Sequence, residues 1–282
     1  MSRLHTRICD LFGVELPIVQ TGMGWVAGSR LTAATSAAGG LGILAAATMT
    51  LEQLDKQIQD VRAATDKPFG VNLRGDSADI DDRLKLLVTH GVKVASFARA
   101  PGKDSIKRLK DAGIVTMPTV GARRHAEKVL EWGVDAVIAQ GGEGGGHTGS
   151  VPTTLLLPEV VDAVGDSIPV LGAGGFKDGR GLVAALAYGA DGIAMGTRFL
   201  LTQESTVPDA VKQEYLKVPV TGTVVTKAVD GYPQRVVRTA FIDRLERAGF
   251  VGAMSAAVGH AMALKKMTGT TLGALLKEGR AM

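Results

Sequence analysis

The segment Gln140-Gly141-Gly142-Glu143-Gly144-Gly145-Gly146-His147-Thr148-Gly149 holds the residues best suited to chemistry. Each glycine in ordered backbone costs about 0.5–1 kcal/mol relative to alanine, so a run this dense implies a return. Close approach of bare backbone to a flat ligand, at Gly145 and Gly146, would supply one. His147 stands at the apex, and an imidazole exchanges protons near neutral pH. The plainer alternative is a histidine that hydrogen-bonds a carbonyl in a flexible loop. Two more small-residue clusters follow, Gly172-Ala173-Gly174-Gly175 and Met195-Gly196-Thr197. At Gly174, Gly175, Gly196 and Thr197 backbone N–H groups can converge on an anion, and the helix entered near Asp178 adds its positive end. The alternative is that these glycines only make tight turns. Thr21-Gly22-Met23-Gly24-Trp25 offers Met23 and Trp25 to a planar ring, or to the core. Asn72 is placed either to bond a heterocycle edge or to make a turn. Arg74 and Arg99 are placed either to meet an anionic substrate or to face water.

What positions these residues is a repeated unit. Short β-branched runs at 18–20, 42–44, 68–73, 92–97, 114–118, 134–139, 168–171 and 191–195 alternate with amphipathic stretches at 30–38, 51–64, 80–90, 104–112, 122–132 and 179–188. Thr50 suits an N-cap, and Gly91, Gly113, Gly133 and Gly189 follow their helices as stops. Repeated βα units imply parallel strands buried on both faces. Either an open doubly wound sheet or a closed (β/α)8 TIM barrel satisfies this. Eight strands in about 200 residues, with the most elaborate loops after strands six, seven and eight, favour the α/β barrel. Its active site lies at the C-terminal strand ends, with phosphate at loops seven and eight. Of the five histidines, His147 is the one expected in a strand-end loop. Beyond residue 198 the pattern changes to a helix at 208–216, a strand pair over 222–238 around the turn 230–233, and helices over 241–282. The expected organisation is a barrel over 1–200 and a satellite segment over 201–282 covering its mouth.

Composition narrows the function. Of 282 residues, 45% are hydrophobic and 21% charged, which excludes a disordered chain. Cys9 is the single cysteine, so an intramolecular disulfide and a cysteine-based zinc site are both excluded, and no metal is expected. The net charge of +4 is scattered and aromatics are 4%, against a nucleic-acid partner and in favour of small anions such as phosphates or coenzyme A. Residues 1–10 are too polar for a signal peptide, and no apolar run approaches the ~20 residues of a membrane span. The expectation is a cytoplasmic protein with a small-molecule substrate and no membrane partner. Nothing sets an oligomeric state, a homodimer included.

The chain resembles the nitronate monooxygenase (2-nitropropane dioxygenase-like) flavoprotein family. The resemblance is carried by Pro17-Ile18-Val19-Gln20 with Gly22-Met23-Gly24, Ala38-Gly39-Gly40-Leu41-Gly42, Pro68-Phe69-Gly70-Val71-Asn72, the 140–149 run, Ala173-Gly174-Gly175 and Met195-Gly196-Thr197-Arg198-Phe199, in family order. It implies a TIM barrel binding FMN, with the phosphate at Gly174, Gly175, Gly196 and Thr197. Gly22, Met23, Asn72 and Gln140 would surround the isoalloxazine and ribityl chain, and His147 matches the family's catalytic histidine, here a general base. Residues 20–28, 140–149 and 206–215 resemble the actinobacterial branch that oxidises a hydroxylated steroid-ring-remnant acyl-CoA. The implied substrate is therefore that anionic acyl-CoA or an alkyl nitronate oxidised with O2. The family's FMN-dependent enoyl-thioester reductases and NAD(P)H:quinone reductases are the alternatives. A flavin-free phosphate-binding barrel enzyme and a non-catalytic FMN sensor are rivals of another class; the first lacks an obvious barrel-strand lysine. Two departures stand out: Gly22 replaces a proline common in the family, which implies a less rigid loop, and members run longer beyond the position of Met282.

Overall fold

The helix-to-strand steps are built as the local signals demand. Gly91, Gly113, Gly133 and Gly189 are all left-handed, with φ of 56°, 74°, 82° and 86°. Thr50 forms a full capping box with Gln53. The computed structural model describes residues 4–247. Its elements begin with α1 (Arg7–Phe12), β1 (Ile18–Gln20), α2 (Ser29–Ala37), β2 (Leu41–Ala45), a 3-10 turn (Ala46–Thr48), α3 (Leu51–Ala64) and β3 (Phe69–Arg74). Next come α4 (Ile80–His90), β4 (Val94–Arg99), α5 (Lys103–Asp111), β5 (Val115–Val120), α6 (Arg123–Glu131), β6 (Val137–Gln140) and β7 (Gly146–His147). The rest are α7 (Thr153–Val164), β8 (Val170–Ala173), α8 (Gly179–Ala187), β9 (Gly192–Met195), α9 (Thr197–Leu200), α10 (Asp209–Lys217), β10 (Thr223–Thr226), β11 (Gln234–Val237) and α11 (Ala240–Arg247). The helices expected beyond residue 247 lie outside the described residues.

Contacts divide the chain into two units, the first running to Gly144 and resuming over Gly149–Gln213. It contains a closed parallel barrel in the order β1-β2-β3-β4-β5-β6-β8-β9, sealed where β1 pairs with β9 through Val19↔Ala194. Alternation along the strands sorts the core into two layers. Val19, Ile43, Val94, Met117, Ile138, Leu171 and Ala194 fill the barrel interior. Leu44, Val71, Ala95, Val137, Val170 and Ile193 belong instead to the layer shared with the surrounding helices.

Helix α1, absent from the expected pattern, has a structural task. Ile8 and Phe12 are fully buried in the interior cluster, each contributing about 1.5–3 kcal/mol by burial. Arg7 grips Asp191 with two bonds of 2.8 Å, and Asp191 Oδ2 also accepts from Val170 N at 3.0 Å. Because Asp191 immediately precedes β9, α1 closes the N-terminal end of the barrel, opposite the rim where chemistry is expected.

The second unit comprises Gly145–Thr148 and the chain from Glu214 onward. Its sheet has the antiparallel order β10-β11-β7, with Val224↔Val236 and Gln234↔His147 in register. Among the described residues no helix is long and apolar enough to cross a membrane.

Candidate active site

Barrel closure puts the loop residues singled out in the first unit on one continuous arc of the C-terminal rim. Gln140 ends β6 beside Ala173 of β8. Gly174 and Gly175 follow β8, whose neighbour β9 leads into Gly196 and Thr197. The next strand, β1, leads to Gly22 and Met23, and β3 carries Asn72 two strands further on.

The contacts along this arc are close. A Cβ on Gly196 would lie 3.3 Å from Thr21 Oγ1 and 3.4 Å from Met23 Sδ, so the loops after β9 and β1 touch. A Cβ on Gly22 would overlap Asn72 Cβ. Thus position 22 is glycine because Asn72 occupies the space a side chain would need, and the loop is packed there. Asn72 Nδ2 in turn donates to Ser96 Oγ at 3.1 Å. Gly174 and Gly175 are both left-handed, at 103° and 78°, a conformation that disfavours side chains. A Cβ on Gly174 would meet Thr153 Oγ1 at 2.9 Å and Gly144 N at 3.0 Å. These turns are therefore cradles of backbone with side chains kept out.

One expectation changes here. The end of α8 that was to face an anion is capped by Asp178, whose carboxylate accepts from Arg180 N at 3.0 Å. Arg180, paired at 2.6 Å, holds that carboxyl well down, at about 2. The start of α8 is thus occupied by this chain's own carboxylate. A second carboxylate, Glu143, accepts from Thr153 N at 2.9 Å and Thr153 Oγ1 at 2.6 Å, anchoring the start of α7.

The three candidate substrate residues behave differently. Trp25 is 81% exposed, and among the described residues it is the non-glycine residue with positive φ, 58°. Its backbone is held by the N–H bond to Thr48 Oγ1 at 3.3 Å and by Val26 N and Ala27 N on Met23 O. Arg74 and Arg99 are cross-strand neighbours at the ends of β3 and β4. Both reach Asp76, Arg74 at 3.1 Å and Arg99 at 2.8 Å. The Arg74 hydrogen bond is the main cause that holds the Asp76 carboxyl below the usual carboxylate range.

In the second unit, His147 is a sheet residue and not the apex of a loose loop. Its register with Gln234, and the bond from Thr148 N to Pro233 O at 3.1 Å, hold the backbone on β11. The imidazole Nε2 lies 2.6 Å from Asp230 Oδ2. A carboxylate only accepts, so Nε2 carries a hydrogen, and in the neutral imidazole the lone pair is then on Nδ1. The Tyr232 ring stands edge-on at 6.1 Å and 82°. Sequence reasoning did not find Asp230 as a partner: 83 residues separate it from His147, and its local context, Asp230-Gly231-Tyr232-Pro233, reads as a turn. The Asx pattern of that turn was the available signal.

The comparisons with known proteins agree with one another. The nitronate monooxygenase family model matches residues 5–86 and 75–279. The (3aS,4S,5R,7aS)-5-hydroxy-7a-methyl-1-oxo-octahydro-1H-indene-4-carboxyl-CoA dehydrogenase of Mycobacterium tuberculosis is 58% identical over 281 residues, covering 99% of this chain and 79% of that protein. FabK from Thermotoga maritima superposes with a TM-score of 0.86 at 40% identity, over 93% of this chain and 84% of the other. Nitroalkane oxidase from Streptomyces ansochromogenes gives 0.77 at 34%, over 84% and 80%.

Proposed function

The chain belongs to the nitronate monooxygenase family and is an oxidoreductase, and on that premise we propose that it uses FMN to oxidise the ring hydroxyl of a bicyclic acyl-CoA thioester. The observation that carries the substrate class is the 58% identity, across 99% of the chain, to a dehydrogenase whose named substrate has its hydroxyl one ring carbon from the thioester-bearing carbon. The rim arc supports the cofactor. Backbone amides at Gly174, Gly175, Gly196 and Thr197 suit a phosphate, with Gly22, Met23, Asn72 and Gln140 along a flat ring and Gly145 and Gly146 presenting bare backbone to it. When bound, FMN supplies the two-electron acceptor that the oxidation needs.

The chain's own contribution is positioning and proton transfer. His147 is the general base: Nδ1 takes the hydroxyl proton as the carbonyl forms, a task worth about 10²–10⁴-fold in rate. Trp25 offers an apolar face to the acyl-CoA, and Arg74 and Arg99 offer guanidinium groups to its phosphates. The setting is cytoplasmic in this proposal.

Anaerobic bleaching of the bound flavin tests the proposal, with a bicyclic 3-hydroxyacyl-CoA, an alkyl nitronate and NAD(P)H as donors. Fastest bleaching by the hydroxyacyl-CoA is expected. A protein that purifies colourless, or one bleached only by NAD(P)H or nitronate, overturns it.

A further inference from the structure

We propose that Asp230 is the positioning residue of the active-site base, fixing the tautomer and direction of the His147 imidazole and balancing the charge it gains. The inference rests on the reading of His147 as base, and on a geometry that stands by itself. Asp230 is braced on both sides. Its Oδ1 accepts from Tyr232 N at 3.1 Å, closing an Asx turn, while Oδ2 meets His147 Nε2 at 2.6 Å. Gly231, left-handed at 88°, and the bond from Gly231 N to Lys227 O at 2.9 Å set the turn that carries it. The Asp230 side chain is 22% exposed against 65% for His147, so the carboxylate is the sheltered member and the imidazole the outward one. A surface ion pair between two long flexible chains would have neither brace.

The chemistry follows from the tautomer. With Nε2–H donated to Asp230, the lone pair sits on Nδ1. When the substrate O–H bond breaks and an Nδ1–H bond forms, the imidazolium's positive charge lies against a carboxylate already in place. Asp230 takes no proton and touches no substrate. Orientation of an imidazole by a buried carboxylate is the logic of catalytic triads on unrelated folds. The strand and turn packed on His147 also carry Tyr232 and Arg235, and the Arg235 guanidinium donates to Thr223 Oγ1 at 2.9 Å.

The test compares wild type with D230N, D230E and H147A, using a bicyclic 3-hydroxyacyl-CoA as donor. Flavin content and melting temperature serve as folding controls. The amide introduced by D230N can keep the Asx turn through its carbonyl oxygen but offers an N–H to Nε2, which forces the hydrogen onto Nδ1. D230N should therefore lose at least ~10²-fold in kcat with KM unchanged, and D230E should recover part of it. Imidazole 15N spectra of His147, recorded without substrate, should show the Nε2–H tautomer in wild type and Nδ1–H in D230N. If H147A is inactive while D230N turns over normally, Asp230 has no positioning role and the base assignment survives. If H147A is fully active, the base assignment fails and takes this inference with it. An Nδ1–H tautomer in wild type overturns the inference even if no variant folds.

Discussion

In the proposed mechanism the barrel rim and the small antiparallel sheet contribute to chemistry by opposite means. On the rim, the useful groups are backbone amides, and the sequence secures them by removing side chains: Gly174 and Gly175 in left-handed turns, Gly196 against Met23, Gly22 against Asn72. In the sheet, the useful group is one side chain, and the sequence secures it by adding partners, with Asp230 and Tyr232 on the imidazole. The rim is written in short motifs at neighbouring strand ends, while the sheet depends on a pairing between residues 147 and 230. Holding a cofactor and moving a proton should therefore fail separately when mutated.

The largest expected effect lies on the sheet side. H147A should lower kcat about 10²–10⁴-fold while the protein still purifies yellow with a full complement of flavin. Loss of flavin along with turnover would mean that the two regions are not separable. The converse break is Gly175→Ala. The nearest atom to its added Cβ is Glu143 Cβ at 3.6 Å, so there is room, but φ of 78° costs an L-residue about 1–2 kcal/mol. If the left-handed turn shapes the phosphate cradle, FMN affinity measured by fluorescence titration falls by roughly tenfold. With flavin at saturation, turnover should recover.

The same contrast explains what could be read from the sequence. The barrel was legible because each βα unit carries local signals: Thr50 with Gln53 to start a helix, Gly91 or Gly133 to stop one, a β-branched run to follow. All eight barrel strands lie within a few residues of their expected places, and the glycine turns land on one rim because strand order alone dictates it. The α1 helix was not legible. Six residues give too short a period to see, and what stabilises it is Ile8 and Phe12 entering the barrel floor and Arg7 finding Asp191. For β7 the cause is similar, since two residues have no alternation and Gly146-His147 becomes a strand only because β11 lies alongside. The start of α8 near Asp178 was legible as well, but not the pairing of its carboxylate with Arg180.

Smaller effects are expected from the proposed substrate residues. Trp25 pays for its left-handed backbone by about 1–2 kcal/mol, a cost that W25G removes but partly replaces with the ~0.5–1 kcal/mol entropy of a glycine. The melting temperature should hardly move, whereas KM for the acyl-CoA rises several-fold if the exposed ring packs on it, as expected for a contact of ~0.5–1.5 kcal/mol. A KM that stays put would leave the ring without a role in binding. R99A sharpens the point: KM should rise for a CoA thioester and not for the matching pantetheine thioester without the nucleotide phosphates.

The smallest effect concerns Asp76, which joins the two rim arginines. Its carboxyl is held below the ordinary carboxylate value, near ~3.9, first by the hydrogen bond from Arg74, with burial opposing and the charge of Arg99 adding. A lowered acid contributes stability that is complete above the ordinary value and is lost as pH falls through the lowered one. Wild type should therefore melt slightly above D76N from pH 5 to 7, by under ~1 kcal/mol for a pair that water reaches, and the two curves should start to converge below about pH 4 and merge once pH is below the lowered value. Salt should act in the same direction, since screening shortens from ~10 Å at 0.1 M to ~3 Å at 1 M. A gap undiminished at pH 3 and in high salt would make Asp76 a packing residue, and the two arginines would then owe their placement to the register of β3 and β4 alone. The glycine cradles, which work through shape, should show neither dependence, so this pair of titrations separates charge from geometry within the rim itself.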